Sequence, residues 1–168
     1  AARRGLRVVL NASPISDELL NADLSGVDWL VVNEIECAAM AGCGDAQAGY
    51  ETLKQRYPSL GILLTLGSEG SVSWKDGTEV RQCAYPVKAV DTTGAGDIFG
   101  GSAVSRFLEL GKAPEALTRD DLAYMARYAA AAASLSTEAS GAIPSIPKKE
   151  AVLQKMQEAY RVQADAHR

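Results

Sequence analysis

Residues 91–101 read DTTGAGDIFGG, and here the chain turns from strand-bearing to helical. Asp91 and Asp97 bracket a glycine-rich turn that runs straight into the start of a helix. Backbone N–H groups at such a start have no partner inside the helix and point outward. Together with the helix dipole they favour an anion, phosphate above all. Glycine lets the backbone approach a ligand closely and take angles that other residues avoid. A carboxylate at Asp97, beside that cradle, is suited to orienting an attacking hydroxyl and taking its proton. By itself the GAGD turn reads equally as a phosphate cradle or as a plain helix start. No GK[ST] follows to make it a Walker A loop.

Upstream, apolar runs alternate with helical stretches. RVVLN (7–11) is β-rich and is followed by helix-compatible ISDELLNADL (15–24). DWLVVN (28–33) is a second apolar strand, and the helical stretch from Glu34 ends near Gly42, a residue suited to a left-handed cap. Asp45 is an N-cap for DAQAGYETLKQRY (45–57), with Pro58 just past its end. LGILLTLG (60–67) is the continuous apolar pattern of a strand buried on both faces. This rhythm predicts a parallel sheet with right-handed crossovers. In SVSWKDGTEV (71–80), Asp76-Gly77 marks a hairpin. CAYPVKAV (83–90) then returns the chain to the glycine-rich turn, and Trp74 and Tyr85 read as packing or hairpin residues.

Downstream, Gly111 and Pro114 end one long helix, and Thr118-Arg119-Asp120-Asp121 resembles a capping box for the next. That second helix carries the small-residue run AAAAAS (129–134), which lets a backbone or a flat ligand approach closely. SGAIPSIP (140–147) is a loop, and a polar amphipathic helix closes the chain. With no repeat and no linker, the pattern is one α/β unit.

The 168 residues suffice for one core, and at 47% hydrophobic the chain is not of disordered composition. A net charge of −4 gives no electrostatic footprint for nucleic acid, and Arg3 and Arg4 read as a solvated end. No apolar run approaches the length of a membrane span and no signal-peptide pattern opens the chain, so a cytoplasmic protein is expected. Cys37, Cys43 and Cys83 lack CxxC spacing and read as reduced thiols. The only histidine is His167, which argues against a histidine-dependent triad or a His-rich metal site within this chain. Proton transfer falls instead to carboxylate, lysine, tyrosine, cysteine or water.

DTTGAGDIFGG resembles the signature of the ribokinase-like, or PfkB, family of carbohydrate kinases. NEIE (33–36) is similar to the family's N-x-x-E motif and TLGSEG (65–70) to its nucleotide-side T-x-G-x-x-G. SGAIPSIP is similar to its C-terminal ion loop, and VVLNASP (8–14) to its LNPAP strand with the first proline lost. The motifs stand in family order and span essentially all 168 residues, matching the C-terminal part of the family's usual chain.

The resemblance implies a three-layer α/β fold with a mainly parallel central sheet, a β-hairpin and C-terminal helices. Residues 1–168 would be the nucleotide-binding and catalytic portion, with the N-terminal substrate and lid portion absent. Asp97 would be the general base, and the backbone N–H groups of Gly94, Ala95 and Gly96 the anion hole. Asn33 would lie near the nucleotide phosphates and Glu36 would help organise Mg²⁺ and its waters. Thr65, Ser68 and Gly70 would border the triphosphate and ribose, Gly67 would permit the close turn, and Ala130 would be an apolar wall for adenine. Asp91, the Thr93 carbonyl, Gly141 and Ser145 match the family's potassium site. In isolation Asn33 also reads as a turn residue, Glu36 as a solvated helix carboxylate and Asp91 as a turn cap.

The implied activity is ATP-dependent phosphorylation of a hydroxyl of a small sugar or sugar-like molecule, with Mg²⁺ and K⁺, in a protein that is a homodimer at full length. A vitamin-type kinase of the same superfamily and a non-catalytic nucleotide-binding or assembly domain remain the alternatives. Both a fragment of a full kinase and a truncated homologue fit, and these residues alone are expected to be weakly active or inactive.

Overall fold

The two most apolar runs of the sequence lie side by side inside the sheet. In the computed structural model, which describes residues 6–165, they form β2 (Trp29–Asn33) and β3 (Gly61–Thr65). Arg3, Arg4 and His167 lie outside the described residues. β1 (Val9–Asn11) pairs with β2, and β2 with β3, both in parallel. β4 (Ser71–Lys75) and β5 (Thr78–Gln82) follow in antiparallel pairing, so the five strands run in chain order across one mixed sheet. The hairpin extends the sheet because both residues of its tip take left-handed angles, φ 46° at Asp76 and 81° at Gly77. That conformation matches the twist of the paired strands.

Side chains along β2 and β3 alternate between two cores. Trp29, Val31 and Leu63 face α4 (Ala95–Leu110), α5 (Arg119–Ser136) and α6 (Lys149–Asp165). Leu30, Val32, Ile62 and Leu64 face α2 (Glu34–Ala41) and α3 (Ala46–Arg56). The result is three layers, helix on sheet on helix. Each large side chain fully buried in this way is worth about 1.5–3 kcal/mol relative to exposure.

The helix boundaries follow the capping signals. Gly42 and Gly111 close α2 and α4 in left-handed conformation, Asp45 caps Ala48 N at 2.8 Å, and Thr118 with Asp121 forms a reciprocal capping box. The stretch 15–24 is the exception. Only Asp17–Leu20 is helical (α1), because the Asn21 side chain bonds back to the Asp17 carbonyl at 2.7 Å and ends the turn. Cys37, Cys43 and Cys83 are all free thiols, and burial pushes that of Cys37 up to about 12.

Two contacts place the start of α4. Gly100 lies against Val31 so closely that an added Cβ would stand 2.9 Å from a valine methyl. Behind the turn, Asp91 accepts from Thr93 N at 2.9 Å and from Gly141 N at 2.8 Å, tying residues 91–94 to the 140–147 loop. The Gly141 and Thr93 N–H groups hold the Asp91 carboxyl down at about 2.

These contacts make two predictions. Gly100→Ala should lower the unfolding midpoint, whereas Gly101→Ala, with open space around it, should raise stability by about 0.5–1 kcal/mol through helix propensity. Thermal unfolding of the pair checks this. Because the folded-state pKa of Asp91 is depressed, its contribution is complete above the unfolded value of about 4 and disappears as pH falls through about 2. Urea midpoints of the native protein and Asp91→Asn should therefore differ at pH 7 and converge near pH 2.

Candidate active site

Three parallel strands end at one edge of the sheet, on Asn11, Asn33 and Thr65. The carboxyl edge of such strands is where open α/β sheets bind ligands. Here it meets the N-terminus of α4 across a polar cleft of about 190 Å³, lined by Asn11, Asn33, Glu36, Thr65, Gly94, Gly96 and Asp97.

Asp97 occupies the first turn of α4, exposed and lining this cleft. Its Oδ1 accepts a 2.7 Å hydrogen bond from Asn11 Nδ2, and Asn11 Oδ1 in turn accepts from Ser13 N at 3.2 Å. The amides in front of the helix differ from expectation at one position. Ala95 N–H donates to the Thr92 carbonyl at 3.2 Å, closing a tight turn, so it is not free for an anion. Among the described residues the N–H groups of Gly94, Gly96 and Asp97 have no partner, and intrahelical bonding starts with Ile98 N to Gly94 O at 2.9 Å. Gly94 has φ 78°, and a Cβ there would stand 2.7 Å from that of Ala142, so no other residue fits this N-cap unchanged.

Asn33 and Glu36 face the same cleft while building α2. Glu36 N donates to Asn33 Oδ1 at 2.9 Å and Asn33 N to Glu36 Oε2 at 2.8 Å, a full capping box. Glu36 is only 7% exposed, so it is not a solvated helix carboxylate. Its Oε1 carries no hydrogen bond among the described residues.

A second, largely apolar cavity of about 630 Å³ opens on the other side of Gly96. It brings together all six residues expected around a nucleotide: Asn33, Thr65, Gly67, Ser68, Gly70 and Ala130. Asn33, Thr65 and Gly96 line both cavities. Asp91, Thr93, Gly141 and Ser145 line neither. They form a pair of loops behind Gly94, with Ser145 buried and its hydroxyl donating to the Ala142 carbonyl at 2.9 Å.

Sequence reasoning missed two parts of the site. Asn11 received no role, although a polar residue ending a parallel strand was the available signal. Tyr85 reads in the sequence as a packing or hairpin residue. It is buried as such, with its N–H on Ser134 Oγ at 3.0 Å, yet it also walls the larger cavity together with Pro86, Val87 and Phe99. Trp74 packs in the α2–α3 core as expected.

The pattern of the pfkB family carbohydrate kinases matches residues 1–149. The ribokinase of Haemophilus influenzae is 32% identical over 167 residues, covering 95% of this chain and 50% of that protein. The ribokinase of Staphylococcus aureus is 35% identical over 160 residues, covering 92% and 49% respectively. Among solved structures, the ribokinase of Giardia lamblia superposes with a TM-score of 0.79 at 32% identity, over 92% of this chain and 51% of that one. The Arabidopsis thaliana ribokinase complexed with ribose and ATP gives 0.70 at 30% identity, over 92% and 48%. The chain thus spans about half the length of the curated relatives it matches. By its fold, its ordered motifs and these likenesses, the chain belongs to the pfkB family of carbohydrate kinases.

Proposed function

We propose that the protein carrying this chain is an ATP-dependent kinase that phosphorylates a hydroxyl of a small sugar. The observation that carries this reading is the position of Gly96. It lines both a large apolar cavity and a small polar cleft, with unpaired amides at Gly94, Gly96 and Asp97 and the Asp97 carboxylate in the cleft. Relatives that are ribokinases, one of them solved with ribose and ATP, support the substrate class.

In this reading adenine lies in the larger cavity against Ala130, and the phosphates run past Thr65, Gly67, Ser68 and Gly70 toward α4. The acceptor hydroxyl approaches from the cleft and gives its proton to Asp97 as its oxygen bonds to the terminal phosphorus. The bond from that phosphorus to the ADP oxygen breaks. Charge spread over the moving phosphoryl group is met by the N–H groups of Gly94, Gly96 and Asp97 and by the dipole of α4, donors oriented before the reaction begins. The residues fit a hydrated Mg²⁺. Glu36 keeps one carboxylate oxygen without a partner, and no group of three or more His, Cys, Asp or Glu among the described residues forms a protein cage. Bound there, Mg²⁺ would neutralise phosphate charge. The loops of Asp91, Thr93, Gly141 and Ser145 are joined by hydrogen bonds from Thr93 N and Gly141 N to the Asp91 carboxylate, and K⁺ bound at their oxygens would stiffen the turn at Gly94.

The sugar-holding and lid portions, in this reading, belong to the half of the relatives' length that this chain does not span, together with the contacts of a homodimer. The reaction is assigned to the cytoplasm, and no helix among the described residues is long and apolar enough to cross a membrane. The test uses the full-length protein. Asp97→Asn should lower kcat by about 10²–10⁴-fold, the range for loss of a general base, with nucleotide binding retained. Undiminished turnover would overturn the assignment and favour a nucleotide-binding module.

A further inference from the structure

We infer that Asn11 is a positioning residue for Asp97, one that holds a single carboxylate oxygen and so fixes the base in the cleft. The inference deepens the kinase reading above and rests on it.

Among the described residues three α-helices carry an acid at the third helical position: Glu36 in α2, Asp97 in α4 and Asp121 in α5. An acid there ordinarily folds back onto the backbone N–H of its own N-cap residue. Glu36 does so to Asn33 N at 2.8 Å, and Asp121 to Thr118 N at 2.8 Å. Asp97 does not. Its N-cap residue, Gly94, is left-handed where Asn33 and Thr118 are extended, so the reciprocal geometry is not offered, and the carboxylate is held instead by Asn11, 86 residues earlier in the chain.

The amide orientation of Asn11 follows from its other bond. Ser13 N–H can only donate, so the Asn11 oxygen must face Ser13 and the NH₂ group must face Asp97. With Oδ1 held at 2.7 Å, Oδ2 carries no hydrogen bond among the described residues and is free for the acceptor hydroxyl. Remove that donor and no side-chain hydrogen bond among the described residues fixes the carboxylate. The base then loses its set orientation in the cleft.

Two substitutions in the full-length protein separate this from a role in the turn at 11–13. Asn11→Asp keeps an oxygen for Ser13 N but offers Asp97 no donor, and Asn11→Ala removes both bonds. Both should lower kcat by about 10–100-fold with the nucleotide KM unchanged, as expected for a misplaced reacting group. Turnover retained by Asn11→Asp, or a rise in KM alone, overturns the inference. Normal turnover by Asp97→Asn would instead overturn the kinase reading itself, which keeps the two failures distinct.

Discussion

How closely α4 lies on the sheet decides where its unpaired amides come to rest. The contact of Gly100 with Val31 sets that distance, and any larger residue would have to lift the helix or displace a stiff β-branched side chain. Because β1, β2 and β3 are parallel, their last residues share one edge, and a helix seated at this depth points its N-terminus at that edge. The polar cleft is the gap left between them. Both cavities are consequences of this one packing contact together with strand direction.

The turn in front of α4 is held open from two sides. Behind it, Asp91 joins the 91–94 segment to the 140–147 loop through two backbone N–H groups. In front, Asn11 reaches across from β1. The left-handed Gly94 between them leaves its own N–H unbonded, as are those of Gly96 and Asp97, a concentration of unsatisfied donors that a helix normally relieves with a cap. α2 and α5 do relieve it, through full capping boxes. The same local chemistry therefore serves stability in two helices and is withheld in the third, where the donors face a cleft.

The six nucleotide-side residues illustrate how far pattern reading reaches. Thr65, Gly67, Ser68 and Gly70 are consecutive or nearly so, hence readable as one motif, and they do line one cavity. Asn33 and Ala130 come from distant segments, yet their motif context carried them to the same wall. Tyr85 and Val87 in the connecting segment and Phe99 in α4 are not readable as a site, because an apolar side chain looks the same in a sequence whether it packs or lines a pocket. Ala95 departs from expectation for a related reason. Its N–H is spent on Thr92, and a glycine-rich turn has several ways to close that the letters do not distinguish.

What the amino-acid order determined alone was local: strand and helix periods, caps at Gly42, Asp45, Gly111 and Thr118, the Asp76-Gly77 hairpin, and a donor-rich turn ending in an acid. Each depends on residues within about a helical turn of one another, so neighbouring letters suffice. Only the tertiary structure decided which edge the turn faces, that the hairpin extends the same sheet, that Glu36 is buried while capping α2, and that Asn11 takes hold of Asp97. Those outcomes are set by helix depth and strand register, distances between segments tens of residues apart, which short-range propensity does not encode.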